Sequence, residues 1–155
     1  MSQSNARVDY EKTEIYETMV DEYGVFGSYI DFFVFAASLG FARDKYVPDG
    51  DQGDNEILGM HLNRKDLYQV TAASIAFQHT EDPEMLVSPG DQLPILARYA
   101  AGGAQIAAEE FGDVTGDPTD AVMNFLRDAH NADQQNKEEE VLSQIREGFD
   151  DSIFN

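Results

Sequence analysis

Arg43, Lys45, Arg64 and Lys65 are four of only ten basic residues in a chain that carries thirty acidic ones. Guanidinium and ammonium groups hold phosphate and carboxylate, arginine through a planar fork and lysine as a point charge. The spacing gives these four a way to meet. Arg43 and Lys45 come just before a short stretch that favours extended chain, Tyr46-Val47, and Arg64 and Lys65 come just after another, residues 57–62. An antiparallel hairpin made of the two stretches brings its open ends together. The cations would then gather at the hairpin mouth as a small anion-binding patch, suited to a phosphate backbone. The plainer reading is that they neutralise neighbouring acids such as Asp44 and Asp66.

Other candidate chemistry is sparse. The loop Asp49-Gly50-Asp51-Gln52-Gly53-Asp54-Asn55-Glu56 resembles a calcium loop in composition. An EF-hand needs oxygen ligands at its first, third and fifth positions, glycine at the sixth and glutamate at the twelfth. Counted from Asp49, those last three places hold Gly53, Asp54 and Met60, so the pattern fails and a solvated acidic loop is expected. His61, His79 and His130 stand at no metal-binding spacing and read as surface or edge residues. With no cysteine, disulfides, thiolate metal sites and cysteine nucleophiles are excluded. No nucleophile elbow, phosphate-binding loop or dinucleotide fingerprint occurs. We therefore expect no catalytic residue, no resident metal and no cofactor, and a protein that is not an enzyme.

The elements that must position these groups are mostly helical. A first helix is predicted over residues 9–22, where Ile15, Met19 and Tyr23 form one stripe. Ser28 is placed to cap a second helix over 29–39, apolar on all sides and so central to the core, with Gly40 in the left-handed position after it. The hairpin follows. Asn63 then caps a helix over 64–79 with Leu67, Val70, Ser74 and Phe77 along its buried face. Asp91 caps the next, which carries Pro94 in its first turn and ends at Gly112. Its paired glycines, Gly102 and Gly103, each cost about 1 kcal/mol against alanine in a helix interior. Close approach of a neighbouring helix is the ordinary compensation; a hinge or a ligand-approach site is the alternative. A last helix covers residues 118–129. The expected fold class is mainly α, a compact multi-helix domain with a short β-hairpin. The domain spans 9–130, and 131–155 is an acidic tail that either docks as a short helix through Val141, Leu142, Ile145 and Phe149 or frays.

Composition bounds the setting. The chain has 155 residues, one domain's worth, and 42% of them are hydrophobic, which argues against general disorder. No apolar run is long enough to span a bilayer, and the opening residues MSQSNARVDYEKTE lack a signal peptide's apolar stretch, so no membrane contact and a cytoplasmic location are expected. The net charge of −20 is dispersed over every segment. In ordinary buffer such self-repulsion weakens the compact state. At ~1 M salt the Debye length falls to about 3 Å and most of the repulsion is screened. An acidic, halophilic protein is therefore expected; a nucleic-acid mimic would concentrate its acids on one face. High salt also removes the counterion-release drive for DNA binding.

Four stretches carry a family resemblance. They are Gly24-Val25-Phe26 ahead of the capped segment Asp31-Phe32-Phe33-Val34-Phe35-Ala36-Ala37-Ser38-Leu39-Gly40-Phe41, the basic turn ending in Val47-Pro48, the turn Asp82-Pro83-Glu84-Met85-Leu86, and Tyr99-Ala100 with Gly102-Gly103. In order and spacing the chain resembles the Dnd system-associated protein 4 family, small proteins encoded with DNA phosphorothioation systems, as a haloarchaeal member. The likeness covers residues 15–112. Gly27 stands where the family has proline, and the loop of residues 49–56 is more acidic than usual. What the resemblance implies is an accessory protein of a phosphorothioation-linked restriction or antiviral defence system. Its partners would be other proteins of that system, or DNA. The alternatives are a non-specific DNA-binding module using Arg43, Lys45, Arg64 and Lys65, and a metal-dependent nuclease, for which no tight carboxylate cluster is legible.

Overall fold

Helix α2, Tyr29–Ala42, starts as its sequence dictates. Ser28 is extended and its Oγ accepts the Asp31 N–H at 3.2 Å, which satisfies one of the donors a helix N-terminus leaves open. Phe32, Phe33, Ala36 and Ala37 are fully buried, so α2 is the core helix expected from its all-round apolar text. The computed structural model describes residues 6–113 and 115–154.

The helix does not stop at Gly40. It runs to Ala42, and the left-handed residue is Asp44, at φ 56°. Asp44 N–H donates to Phe41 O at 3.2 Å and Lys45 N–H to Gly40 O at 2.8 Å, the paired bonds of a Schellman turn. Gly40 is needed for a different reason. A Cβ there would lie 2.9 Å from Gly103 N and press on the Tyr99 carbonyl. Both groups belong to helix α5, Pro89–Phe111. Reciprocally, a Cβ on Gly103 would strike the Ala36 carbonyl. Gly103 thus lets two helix backbones touch, the first of the two readings offered by the sequence, while Gly102 admits the Lys45 carbonyl just past the end of α2.

The fold class is the expected one, mainly helical with a two-stranded antiparallel sheet, but the strands are not those predicted. β2, Asn55–Leu58, pairs with β1, Arg7–Tyr10, in the register Arg7 opposite Leu58 and Tyr10 opposite Asn55. Residues 9 and 10 thus lie in a strand and not in the predicted first helix. Val8 and Tyr10 are buried and alternate with exposed Arg7 and Asp9, the period of a half-buried strand. Helix α1 begins only at Glu14, runs to Glu17, and continues as a π-helical turn, Thr18–Glu22. Tyr46 and Val47 form no strand; Val47 N–H instead donates to Arg98 O of α5 at 3.1 Å.

After β2 comes one helical turn, α3, Gly59–Leu62, and then α4, Asp66–Thr80. The buried face of α4 is Tyr68, Ala72, Ile75 and Ala76, while Leu67 and Val70, expected inside, are 68% and 62% exposed. The small side chains face α5, itself rich in alanine and glycine, and that pairing selects the alanine stripe over the leucine–valine one. A 3-10 turn, Pro83–Val87, leads into α5, which starts at Pro89 ahead of Asp91 and carries Pro94 inside it.

The chain divides into two units, Met1–Pro118 and Thr119–Asn155. The second is a single helix, α6, Thr119–Phe154. It runs straight through residue 131, where a tail was expected to begin. Gln, Lys and Glu are good helix formers even where apolar content is low, and Lys137 pairs with Asp133 one turn back at 3.1 Å. Val141, Leu142 and Ile145 are exposed on it; the Phe149 side chain lies outside the described residues. None of the described helices is long and apolar enough to cross a membrane.

Candidate functional site

The expected cation patch does not assemble. Lys65 and Arg64 lie at the N-terminal end of α2. Lys65 Nζ is 3.5 Å from Asp31 Oδ1, and Arg64 lines a shallow cleft with Ser28, Tyr29 and His61. Arg43 and Lys45 lie at the opposite end, where Arg43 closes α2 and the Lys45 carbonyl lies against Gly102 of α5. A helix of 14 residues is about 21 Å long. That is roughly two Debye lengths at 0.1 M salt, so the two pairs do not act as one field. The cause is the strand pairing. With β2 joined to β1, the segments around residues 43–48 and 63–65 are not the two mouths of one hairpin.

At the N-terminal end, Asp31 is the hub. Its Oδ1 accepts a hydrogen bond from the Tyr68 hydroxyl, and Lys65 Nζ is 3.4 Å from the same hydroxyl. These contacts tie the first turn of α4 to the first turn of α2. Burial by itself raises the Asp31 carboxyl, but the hydrogen bonds from Tyr68 and the Ser28 region and the Lys65 charge outweigh it, and the net shift is downward. Tyr68, by burial and its bond to Asp31, is raised and stays a phenol. A carboxylate lowered by folding stabilises the native state above its unfolded value, about 3.9, and loses that contribution as pH falls through the folded value. Asp31→Asn is therefore expected to unfold more easily than the wild type at pH 6, with the gap constant down to about pH 5 and closing below about pH 4. Urea titrations at several pH values check this; a gap that widens in acid would contradict it.

The C-terminal end of α2 holds the richer constellation. Gly50 and Gly102 lack side chains where the acidic loop crosses α5. A Cβ on Gly50 would come 2.7 Å from Ala101 Cβ, and one on Gly102 would overlap the Lys45 carbonyl. Gly53 has the same role against the Tyr10 carbonyl. The calcium-like spacing of glycines is thus the imprint of a loop pressed onto helix α5 at Gly50 and onto strand β1 at Gly53. Arg98 clamps the loop in place, with Nη1 donating to Tyr46 Oη at 2.8 Å and Nη2 to Asp51 Oδ2 at 3.1 Å. Its hydrogen bonds to Tyr46 and then Asp51 hold the guanidinium still more firmly in its charged form. Arg98 Nε and Asp51 Oδ1 are buried and have no hydrogen-bond partner among the described residues. They are the two atoms that a side-on arginine–carboxylate fork would join next to the bond already made.

His79, in the last turn of α4, stacks on Tyr46 with ring centroids 4.6 Å apart and planes 22° apart. Its Nδ1 lies 2.8 Å from Tyr99 Oη. Burial, then the charges of Asp44 and Tyr46, push the Tyr99 hydroxyl upward, so it keeps its proton, and the direction of its bond to the imidazole follows the His79 tautomer. A phenol held protonated is a hydrogen-bond donor and a poor nucleophile. The cluster joins α4, α5 and the loop after α2, and it presents one exposed imidazole edge. His61 is accounted for separately, since its Nδ1 accepts the Leu58 N–H at 3.1 Å at the start of α3. Among the described residues, no three histidine, aspartate or glutamate side chains gather as a metal site.

Sequence reasoning singled out Tyr99 and the glycines but missed Arg98. The signal was present. Arg98 is the one basic residue within α5, surrounded by small and apolar neighbours, and a charge in such a setting must find a partner. Which carboxylate it finds depends on the loop's path over α5, and that path is set by glycine contacts that periodicity does not reveal.

Residues 5–145 match the family model described as DNA sulphur modification system-associated protein 4. No curated protein and no solved structure matches the chain.

Proposed function

The chain belongs to the DNA sulphur modification system-associated protein 4 family, and from this premise we propose that it is a non-catalytic accessory protein of a phosphorothioation-linked restriction or defence system, working through contact with other proteins of that system. The observation that carries the reading is the family match, which spans both units of the chain. Two further facts favour protein over DNA as the partner. The net charge of −20 opposes approach to a phosphate backbone, and the cations that might have offset it are split between the two ends of α2. The protonated Tyr99 hydroxyl and the Arg98 clamp are arranged to fix a loop, which supports an interaction role over catalysis.

Deleting the gene and scoring the system's output tests the reading. The expected result is altered sulphur modification of DNA or lost restriction, restored by the wild-type chain. Unchanged output in the deletion strain would reject it. The nuclease alternative is checked by incubating supercoiled plasmid with the protein and magnesium or manganese, and no nicking is expected. The DNA-module alternative is checked by comparing the wild type with Arg43→Glu plus Arg64→Glu in molar potassium chloride, where neither protein is expected to retain duplex.

A further inference from the structure

The acidic surface includes an uncharged cleft. The side chains that line a cleft of about 180 Å³ between α3, α4, the 3-10 turn and the start of α5 are all neutral, Leu62, Asn63, Gln69, Ala73, Leu86 and Gln92 among them. This holds in a chain where 26% of residues are charged. The large hydrophobic residues found exposed in the first unit are Met60, Leu67, Val70, Leu86 and Val87, and all five fall within α3, α4 and the 3-10 turn, the elements that form the cleft. Exposed apolar side chains scattered singly over a surface are ordinary; Leu86 and Val87 instead stand together on the cleft wall.

The lip of the cleft is held rigid. Asp82 Oδ1 accepts the Glu84 N–H at 3.0 Å, Ser88 Oγ donates to Glu84 O at 2.9 Å, and Gln92 Nε2, on a residue only 4% exposed, donates to Met85 O at 2.6 Å. Three polar side chains are thus spent on fastening a turn that then leaves Leu86 47% exposed. A surface fixed before binding loses little entropy on binding.

We propose that the cleft between α3, α4 and the 83–87 turn is a docking site for a partner protein, and that its occupant is an uncharged segment inserting one branched aliphatic or aromatic side chain. The chemistry follows from the lining. A charged segment would be desolvated against neutral walls with no counter-charge, whereas an apolar one meets Leu62, Leu86 and Ala73. The size fits, since an apolar cavity of about 150 Å³ takes a benzene molecule. Molar salt, which screens charge pairing, leaves such a contact intact. This inference rests on the reading that the chain works by protein contact and names the surface that does so.

The test titrates the full chain, in molar potassium chloride, with N-acetyl-leucinamide and N-acetyl-phenylalaninamide as probes and with N-acetyl-lysinamide and N-acetyl-glutamate amide as charged controls. Backbone amide resonances report the outcome. Saturable shifts at Asn63, Gln69, Ala73 and Gln92 are expected with the two apolar probes and not with the charged ones. Ala73→Leu, which fills the cleft, is expected to weaken the apolar probes at least tenfold, and Leu86→Ser, a change at an exposed position, about threefold. Should Ala73→Leu disturb the fold, Leu86→Ser decides. Shifts scattered elsewhere, equal shifts with the charged controls, or unchanged probe binding by a folded variant overturn the proposal. So do concentration-dependent shifts of the same amides with no probe present, because a second copy would then be the occupant. A chain that binds the probes yet forms no complex with the system's proteins refutes the broader reading and not the cleft; a complex that survives Ala73→Leu and Leu86→Ser refutes the cleft and not the broader reading.

Discussion

Gly103→Val is expected to cost the first unit about 3 kcal/mol or more, and to lower its melting temperature by roughly 10 °C. Any Cβ on Gly103 would overlap the Ala36 carbonyl and lie 2.9 Å from Ala36 Cα. Those atoms are backbone, locked in the middle of α2 by that helix's own hydrogen bonds, so no side chain can swing aside. The helices must separate, and with them the contacts of Phe33, Ala36, Ala37 and Leu96, all buried. Overpacking typically costs 1–3 kcal/mol where neighbours can shift, and more where they cannot. Against a total stability of about 5–15 kcal/mol this is a large fraction. The internal comparison is Gly148→Ala. A Cβ there meets nothing within 4 Å, so in a helix it should stabilise α6 by up to about 1 kcal/mol. Thermal and urea unfolding of both variants check the pair. A Gly103→Val protein that melts within 2 °C or so of the wild type would mean that α2 and α5 do not touch as described.

The second large effect is at Arg98. Arg98→Met removes the clamp and leaves Asp51, whose side chain is only 20% exposed, without its counter-charge. Breaking a fully buried pair from one side costs about 3–5 kcal/mol; with Arg98 itself 31% exposed, solvent screens part of this and about 2 kcal/mol is expected. Replacing both partners, Arg98→Met with Asp51→Leu, should recover at least about 1 kcal/mol of that loss, because no charge is then stranded. Hydrogen exchange gives a local readout. The Val47 N–H, bonded to Arg98 O at 3.1 Å, should exchange faster in the single variant. Strict additivity of the two substitutions, with Val47 protection unchanged, would show that the loop is held by its glycine contacts alone.

Which parts of this architecture the sequence disclosed follows from what kind of signal each carries. The cap at Ser28 and the close approach at Gly102 and Gly103 were legible because each rests on a local rule, a hydroxyl before an apolar run and a glycine pair inside a helix. Gly40 obeys the same close-approach rule, yet its position just before a basic turn imitates a helix terminator. The strand of residues 7–10 was missed because four alternating residues are a weak pattern, and its partner is some 48 positions away. Helix α4 carries two interleaved stripes, Leu67-Val70-Ser74-Phe77 and Tyr68-Ala72-Ile75-Ala76. Hydrophobicity favours the first, and the narrow gap beside α5 selects the second. That inversion is also what leaves Leu67 and Val70 exposed. The Tyr46–His79–Tyr99–Arg98 cluster was half visible, since a lone arginine in a small-residue helix announces a need for a partner and does not say where the partner lies.

Sedimentation velocity in molar potassium chloride bears most directly on what the chain does. The purified protein is run alone, with the modification and restriction proteins of a phosphorothioation system, and with duplex DNA. Co-sedimentation with at least one of those proteins at a fixed ratio, and none with duplex, is the expected result. Co-sedimentation with duplex and with none of the proteins would contradict it.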